Sequence, residues 1–125
     1  MILISSSVYG QSTSKDLANK FFTTYKDDRA KAVRDLYNTN KWTETAKADI
    51  EKVVTTVNGF TKEYMGDYNG FELITIKKIS ASYELHSYLV KYGRQPLRYI
   101  FKFYKPKGKW ILYSFSLDGD VDKDI

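Results

Sequence analysis

The sequence predicts one α+β domain, in which three N-terminal helices pack on a curved, four-stranded antiparallel sheet. Two observations support this fold class. Apolar residues recur at helical spacing over residues 14–69, and after them come four long, aromatic-rich runs. Short turns around residues 94–96 and 106–109 separate the last three of these runs. Helices followed by a meander of strands is a layout that few α+β architectures share.

Capping residues mark the first two helices. Ser14 is a favourable N-cap residue, so the first helix is expected over about residues 15–26. Asp27 or Asp28 caps a second, shorter helix, which residues 38–40 end. The buried stripe of the second helix is expected to be Ala32, Val33, Leu36 and Tyr37.

A third, longer helix is expected to begin at Thr43. Its apolar positions keep the helical period as far as Met65, although Gly59 could kink the helix. The turn signals at residues 66–70 end it. The stripe consists of Ala46, Ile50, Val53, Val54, Val57, Phe60, Tyr64 and Met65.

Four strands are expected, over residues 71–80, 82–92, 97–105 and 109–117. The third and fourth strands alternate between an apolar and a mixed series, which is typical of a sheet covered on one face. The apolar series are Leu97, Tyr99, Phe101 and Phe103 in the third strand, and Ile111, Tyr113, Phe115 and Leu117 in the fourth.

Composition bounds the class of protein. A chain of 125 residues suits a single domain. It has no cysteine, which excludes disulfides, thiol nucleophiles and cysteine-ligated metals. A net charge of +5 is below what a dedicated nucleic-acid-binding domain usually carries, so no nucleic-acid partner is expected. No apolar run approaches the ~20 residues of a membrane span.

The first ten residues bear on localisation. An apolar run followed by small residues is typical of the end of a secretory signal, with cleavage near Gly10 and Gln11. We therefore expect residues 1–10 to be a signal remnant, residues 11–125 to form the domain, and the protein to be periplasmic or secreted. The alternative is a disordered or strand-like N-terminus of a cytosolic protein.

Two further features point to a family. Gly108, Lys109 and Trp110 open the last strand, and the first helix carries the aromatic pair Phe21 and Phe22. With the order of helices and strands, they make the chain resemble the nuclear-transport-factor-2-like superfamily of cystatin-like α+β rolls. Within it the chain resembles small secreted bacterial domains of unknown function. The resemblance implies a pocket, the cone, between the helices and the concave face of the sheet, and little chemistry.

The cone could hold a small apolar or aromatic ligand. The same side chains would also form an ordinary core, so the sequence leaves open whether the cone is open or filled. No catalytic residue, cofactor or metal is expected, and the protein is interpreted as a small exported binding or interaction module. The expected lining is Phe21, Phe22, Tyr25, Tyr37, Phe101, Tyr113 and Phe115.

One alternative function is an enzyme of the isomerase or hydrolase kind, with Asp35 or His86 as the base. His86 shares a strand face with Glu84 and Tyr88, which could hold it in place. The sequence favours the simpler interpretations. In these, the row of three polar residues lies on a solvated outer face, and Asp35 is a surface charge beside Arg34.

Two other sequence patterns bear on function. The acidic tail over residues 118–125 has aspartates at alternate positions, but Lys123 stands where a calcium loop needs glycine, so a solvated tail is favoured.

The mixed sheet face could form a homodimer, since members of the resembled superfamily often pair in this way. The residues expected at such an interface are Ile74, Ile76, Tyr88, Ile100, Tyr104 and Leu112.

Overall fold

A computed structural model describes residues 12–123 and has the expected α+β architecture, helices packed on a four-stranded antiparallel sheet. The helices are α1 (Ser14–Tyr25), α2 (Arg29–Tyr37), a 3₁₀ helix (Lys41–Ala46), α3 (Lys47–Asn58) and the single turn α4 (Lys62–Met65). The strands are β1 (Tyr68–Ser80), β2 (Tyr83–Tyr92), β3 (Pro96–Tyr104) and β4 (Ile111–Asp118). The predicted secretory segment lies outside the described residues.

The cap of α1 differs from the prediction by one position. Thr13, not Ser14, is the N-cap: its hydroxyl accepts from the Asp16 amide, and the Asp16 carboxylate accepts from the Thr13 amide. This reciprocal capping box satisfies two amides that the first turn would otherwise leave unpaired. Ser14 is therefore inside the helix, where its side chain is buried against the sheet. Asp28 caps α2, as predicted.

The third predicted helix is wrong in its bounds, because the segment divides into three pieces. Asn40 caps the 3₁₀ helix, so the segment becomes helical before Thr43, and the α-helical part begins only at Lys47. At the far end Thr61 takes an extended conformation, and its hydroxyl accepts from the Tyr64 amide. A threonine in this cap position starts a new turn and ends the continuity that the apolar period implied.

The sheet is a simple meander in the order β1-β2-β3-β4, with every neighbouring pair antiparallel. We call the side that contacts the helices the inner face and the opposite side the outer face. Directly paired residues share a face, so Phe101 and Phe115 are inner, and Ile100 and Ser116 are outer.

A bulge between β3 and β4 changes the faces of β4. Lys102 pairs with Ser114, but Phe103 pairs with Leu112, so Tyr113 is the extra residue. Leu112 is consequently buried on the inner face, although the alternation had assigned it to the mixed series. Among the predicted apolar series of this strand, Phe115 is inner as expected, and Ile111 lies opposite the outer-face residue Tyr104.

The core is an aromatic cluster between α1 and the inner face. Phe22 stacks on Phe71 with ring centroids 3.9 Å apart. Phe21 meets the edge of Phe101 at 5.0 Å, and Phe101 lies 5.0 Å from Phe115. Such offset and edge-to-face contacts add to the free energy of burying the rings. No helix within residues 12–123 is long and apolar enough to cross a membrane.

Candidate functional site

The expected cone is occupied by side chains in the part of the chain that the structure describes. Five of the seven predicted lining residues are at most 7% exposed, and their rings touch one another. A ligand in this space would have to displace rings that are packed at van der Waals distance. The five are Phe21, Phe22, Tyr25, Phe101 and Phe115.

The other two predicted lining residues differ from the five. Tyr37 is half-buried at the end of α2, and burial raises the pKa of its hydroxyl. Tyr113 is 62% exposed and contacts Tyr83 instead of the core. The expectation that Tyr113 lines the cone is therefore wrong. The β4 bulge, for which the alternating pattern gives no warning, removes this side chain from the inner face.

His86 lies on the inner face and is fully buried, so the interpretation of its row as a solvated outer face is wrong. The Nε2 atom of His86 lies 2.9 Å from Glu84 Oε1, and its Nδ1 atom lies 3.1 Å from the Tyr88 hydroxyl. The Ser14 hydroxyl of α1 donates to the same Glu84 oxygen. We call Ser14, Glu84, His86 and Tyr88 the histidine network.

Each hydrogen bond of the histidine network has a donor and an acceptor when the imidazole is neutral. A carboxylate can only accept, so the His86 Nε2–H and the Ser14 O–H donate to Glu84, and the Tyr88 O–H donates to Nδ1. Burial lowers the pKa of His86, although Glu84 opposes this effect. Burial alone would raise the pKa of Glu84, but the bonds from His86 and Ser14 outweigh it and lower that pKa.

The histidine network resembles a base held by a carboxylate, but the ring nitrogen that does not contact Glu84, Nδ1, is already hydrogen-bonded. A general base must reach the proton that it abstracts, and Tyr88 occupies Nδ1. Burial, together with the nearby Glu84 charge, raises the pKa of Tyr88 to about 12. The arrangement joins α1 to β2 through hydrogen bonds that use both ring nitrogens of His86 and the Oε1 atom of Glu84, which favours a structural role.

Asp35, the other candidate base, lies on α2 and forms an ion pair with Lys31 at 2.5 Å. Its side chain is 39% exposed and borders a cleft of only about 50 Å³ between α1 and α2. Such a cleft is much smaller than a typical small-molecule site. The structure therefore does not bring Asp35 and His86 into one site.

A second polar cluster of the core was not predicted as such. The Tyr25 hydroxyl lies 2.6 Å from that of Tyr92 and 2.7 Å from that of Tyr99. Burial is the main cause that raises the pKa of both Tyr25 and Tyr99 far above the ordinary value. The sequence shows these residues as apolar-face aromatics, and only the packing of α1 on the sheet brings their hydroxyls together.

The outer face carries a groove of about 360 Å³ across β1, β2 and β3. Its lining combines apolar, hydroxyl and cationic side chains, and none of the lining residues within 12–123 is acidic. We call it the outer groove. The lining residues are Ile74, Thr75, Lys77, Leu85, Ser87, Arg98 and Ile100.

Of the six residues predicted for a dimer interface on the mixed sheet face, only some lie on the outer face. Ile74 and Ile100 line the outer groove, and Tyr104 is 41% exposed. Tyr88 and Leu112 are buried in the core, so their assignment to the outer face is wrong. Ile76 pairs directly with His86 and therefore lies on the inner face too.

Arg98 is the most unusual residue of the outer groove, since it is charged and only 7% exposed. Its Nη1 atom donates to the backbone oxygen of Lys123, and its Nη2 atom lies 3.6 Å from Asp118 Oδ2, beyond hydrogen-bond range. Its Nε atom has no hydrogen-bond partner among residues 12–123. The sequence predicts a residue of the mixed face here and gives no sign of its burial.

The acidic residues are not gathered into a metal site. Within residues 12–123, no group of three or more His, Cys, Asp or Glu side chains could hold a metal ion. Asp118 accepts from the Asp120 amide and faces Arg98.

Comparison of this chain with protein-family models, with curated proteins and with solved structures found no match.

Proposed function

We propose that this protein is a small, exported, non-enzymatic binding module of the nuclear-transport-factor-2-like kind, and that it binds its ligand on the outer face of its sheet. The observation that carries the proposal is the outer groove with its half-buried apolar side chains and its buried, incompletely paired Arg98. Binding sites typically combine an apolar lining with a few polar groups. The order of helices and strands supports the superfamily assignment.

The packing of the cone supports the choice of the outer face. Phe101 and Phe115 fill the inner side with rings in mutual contact, and the histidine network uses its own donors and acceptors. A buried polar group that already has its partners gains nothing from a ligand. The Nε atom of Arg98, in contrast, has no partner within residues 12–123 and can donate to a ligand.

Isoleucine methyl groups provide a direct test of which face binds. In protein labelled at the isoleucine δ1 methyls, Ile74 and Ile100 report on the outer groove, and Ile50, which borders a cleft beside α2 and α3, reports on the helix side. A panel of small acids, alcohols and amines should shift the first two signals and leave Ile50 unchanged. Shifts centred on Ile50 would show instead that ligands enter the helix side, and the proposal would be wrong.

A homodimer through the outer face is a second candidate. It is favoured by the partly exposed apolar side chains that lie together there, Leu85 and Ile100 among them. Ile100→Asp should then convert a dimer into a folded monomer in light scattering. Ile79→Asp is the matched control, because Ile79 is 63% exposed and does not line the groove. An unchanged mass for Ile100→Asp would exclude this interface.

Export is proposed from the sequence of residues 1–10 alone. Expression of the natural chain in a bacterial host, followed by intact-mass measurement of the envelope fraction, tests it. A product that begins at Gln11 is expected. A full-length product in the cytoplasmic fraction would contradict export and leave the proposed binding surface unaffected.

A further inference from the structure

We propose that the outer groove binds a small amphipathic carboxylate, with Arg98 holding the carboxylate and Ile74, Leu85 and Ile100 covering the apolar tail. This inference rests on the proposed function, because it names the ligand class of the same groove. It is carried by the incomplete pairing of Arg98 and by the composition of the lining.

The buried guanidinium has more donors than partners. A guanidinium presents five N–H donors, and among residues 12–123 Arg98 makes one hydrogen bond, from Nη1 to the Lys123 oxygen. Burying a charged group without partners is costly, so native proteins rarely leave such donors unused. An unpaired donor at a groove is therefore a place where a ligand can restore a lost hydrogen bond.

The unused donors form the edge that recognises carboxylates. The Nε–H and the adjacent Nη2–H of an arginine point in parallel, and this edge binds a carboxylate through two hydrogen bonds. In Arg98 the Nε atom has no partner among the described residues, and Nη2 has only Asp118 at 3.6 Å. Asp118 therefore lies near this edge of the guanidinium but does not form a hydrogen bond with it.

The rest of the outer groove suits the remainder of such a ligand. Three apolar side chains can cover a hydrocarbon tail, the hydroxyls of Thr75 and Ser87 add polar contacts, and Lys77 adds positive charge. Two cationic side chains, Lys77 and Arg98, line the groove, and Asp118 at its edge offsets only one of them, so anions are favoured over cations. A volume of about 360 Å³ falls within the range of small-molecule sites, which favours a small acid over a macromolecule.

The test compares three probes of equal chain length: octanoate, octan-1-ol and octylammonium. The signal of the Arg98 Nε–H is followed by NMR and is assigned by its loss in Arg98→Lys. We expect octanoate to shift this signal downfield in a saturable manner, and the alcohol and the amine to leave it in place. Equal binding of octan-1-ol and octanoate would overturn the inference.

Two variants sharpen the test, one at the partly exposed Asp118 and one at the buried Arg98. Asp118→Asn removes the competing charge and keeps an oxygen for the Asp120 amide, so octanoate should bind several-fold more tightly. Arg98→Lys keeps the charge but loses the paired donors, so binding should weaken by about tenfold. Lys107→Gln, an exposed lysine outside the groove, is the control for net charge and should bind as the unmodified protein does.

The outcomes separate this inference from the proposed function. If Ile74 and Ile100 shift equally with all three probes while Arg98 does not respond, the outer face binds ligands but the carboxylate assignment is wrong. If octanoate perturbs Ile50 instead, both are wrong. Weaker binding in Asp118→Asn would also overturn the role given to Arg98, because the acid would then help the ligand and not compete with it.

Discussion

The two faces of the sheet bury polar groups in different ways. On the inner face, both ring nitrogens of His86 are used in bonds within the histidine network, one to Tyr88 and one to Glu84. On the outer face, Arg98 is almost as deeply buried, yet its Nε has no partner among the described residues. A satisfied polar group stabilises the fold, and an unsatisfied one costs free energy until something binds it. The comparison therefore separates structural polar residues from candidates for binding.

The largest expected loss of stability is at Phe101 on the inner face, and its neighbour Ile100 on the outer face provides the comparison. Phe101→Ala should lower the free energy of unfolding by about 3–5 kcal/mol, because it leaves a cavity among contacting rings. Ile100→Ala, on the half-exposed outer side, should cost about 1 kcal/mol, less than a fully buried side chain would. Urea denaturation measures both. Equal losses would mean that the outer face is packed like the core.

The β4 bulge allows a second comparison within one strand. Leu112→Ala should cost about 2–5 kcal/mol, since Leu112 is fully buried. Tyr113→Ala should stay within about 0.5 kcal/mol of the unmodified protein, since its side chain is 62% exposed. Thermal or urea unfolding checks the pair. The reverse order would show that β4 keeps the regular alternation and has no bulge at this position.

The histidine network predicts a dependence of stability on pH. His86 is held among Glu84, Tyr88, Lys15 and Lys78, and its pKa in the folded chain is below its ordinary value of 6.5. The unfolded chain thus binds the proton more tightly. The stability is fully present above a pH of about 6.5 and falls as the pH is lowered toward the folded-state pKa.

His86→Gln provides the control for this prediction. Glutamine can still donate to Glu84 but does not titrate. Urea midpoints measured between pH of about 7 and about 5 should fall for the unmodified protein and fall less for the variant. This range stays above the titration of Glu84, whose pKa is lowered. Parallel slopes for the two proteins would refute the assignment of the effect to His86.

A small change in stability is also expected on the outer face, at Arg98. Arg98→Met should change the free energy of unfolding by no more than about 1 kcal/mol, because a buried charge with few partners can be replaced by an apolar side chain at little cost. Circular dichroism during urea unfolding provides the measurement. A loss of several kcal/mol would mean that the contacts with Lys123 and Asp118 are structural, and it would weaken the case for a ligand.

Alternation along β3 predicted the inner face of that strand, and Tyr99, Phe101 and Phe103 are buried as expected. The same rule failed at Tyr113, because a bulge shifts the face of one strand without a local sequence signal. The position of His86 could have been inferred. Val90 shares its face, and an apolar residue there favours the inner side.

Other features depend on partners that are distant in sequence. Thr61 caps a new turn although the apolar period continues through it, so the period overstated the length of the third helix. Arg98 makes its hydrogen bond to the backbone oxygen of Lys123, which is 25 residues later in the chain. No local sequence pattern predicts such a contact. Arginine is also one of the residue types that are least often buried, so the sequence gives no reason to expect its burial.

The most direct test of the central claim is a measurement of nuclear Overhauser effects between octanoate and the isoleucine methyls of the labelled protein. We expect contacts from the octanoate chain to Ile74 and Ile100 and none to Ile50. Contacts to Ile50 would contradict the proposed site, because Ile50 borders a cleft beside α2 and α3 and the ligand would then lie against the helices.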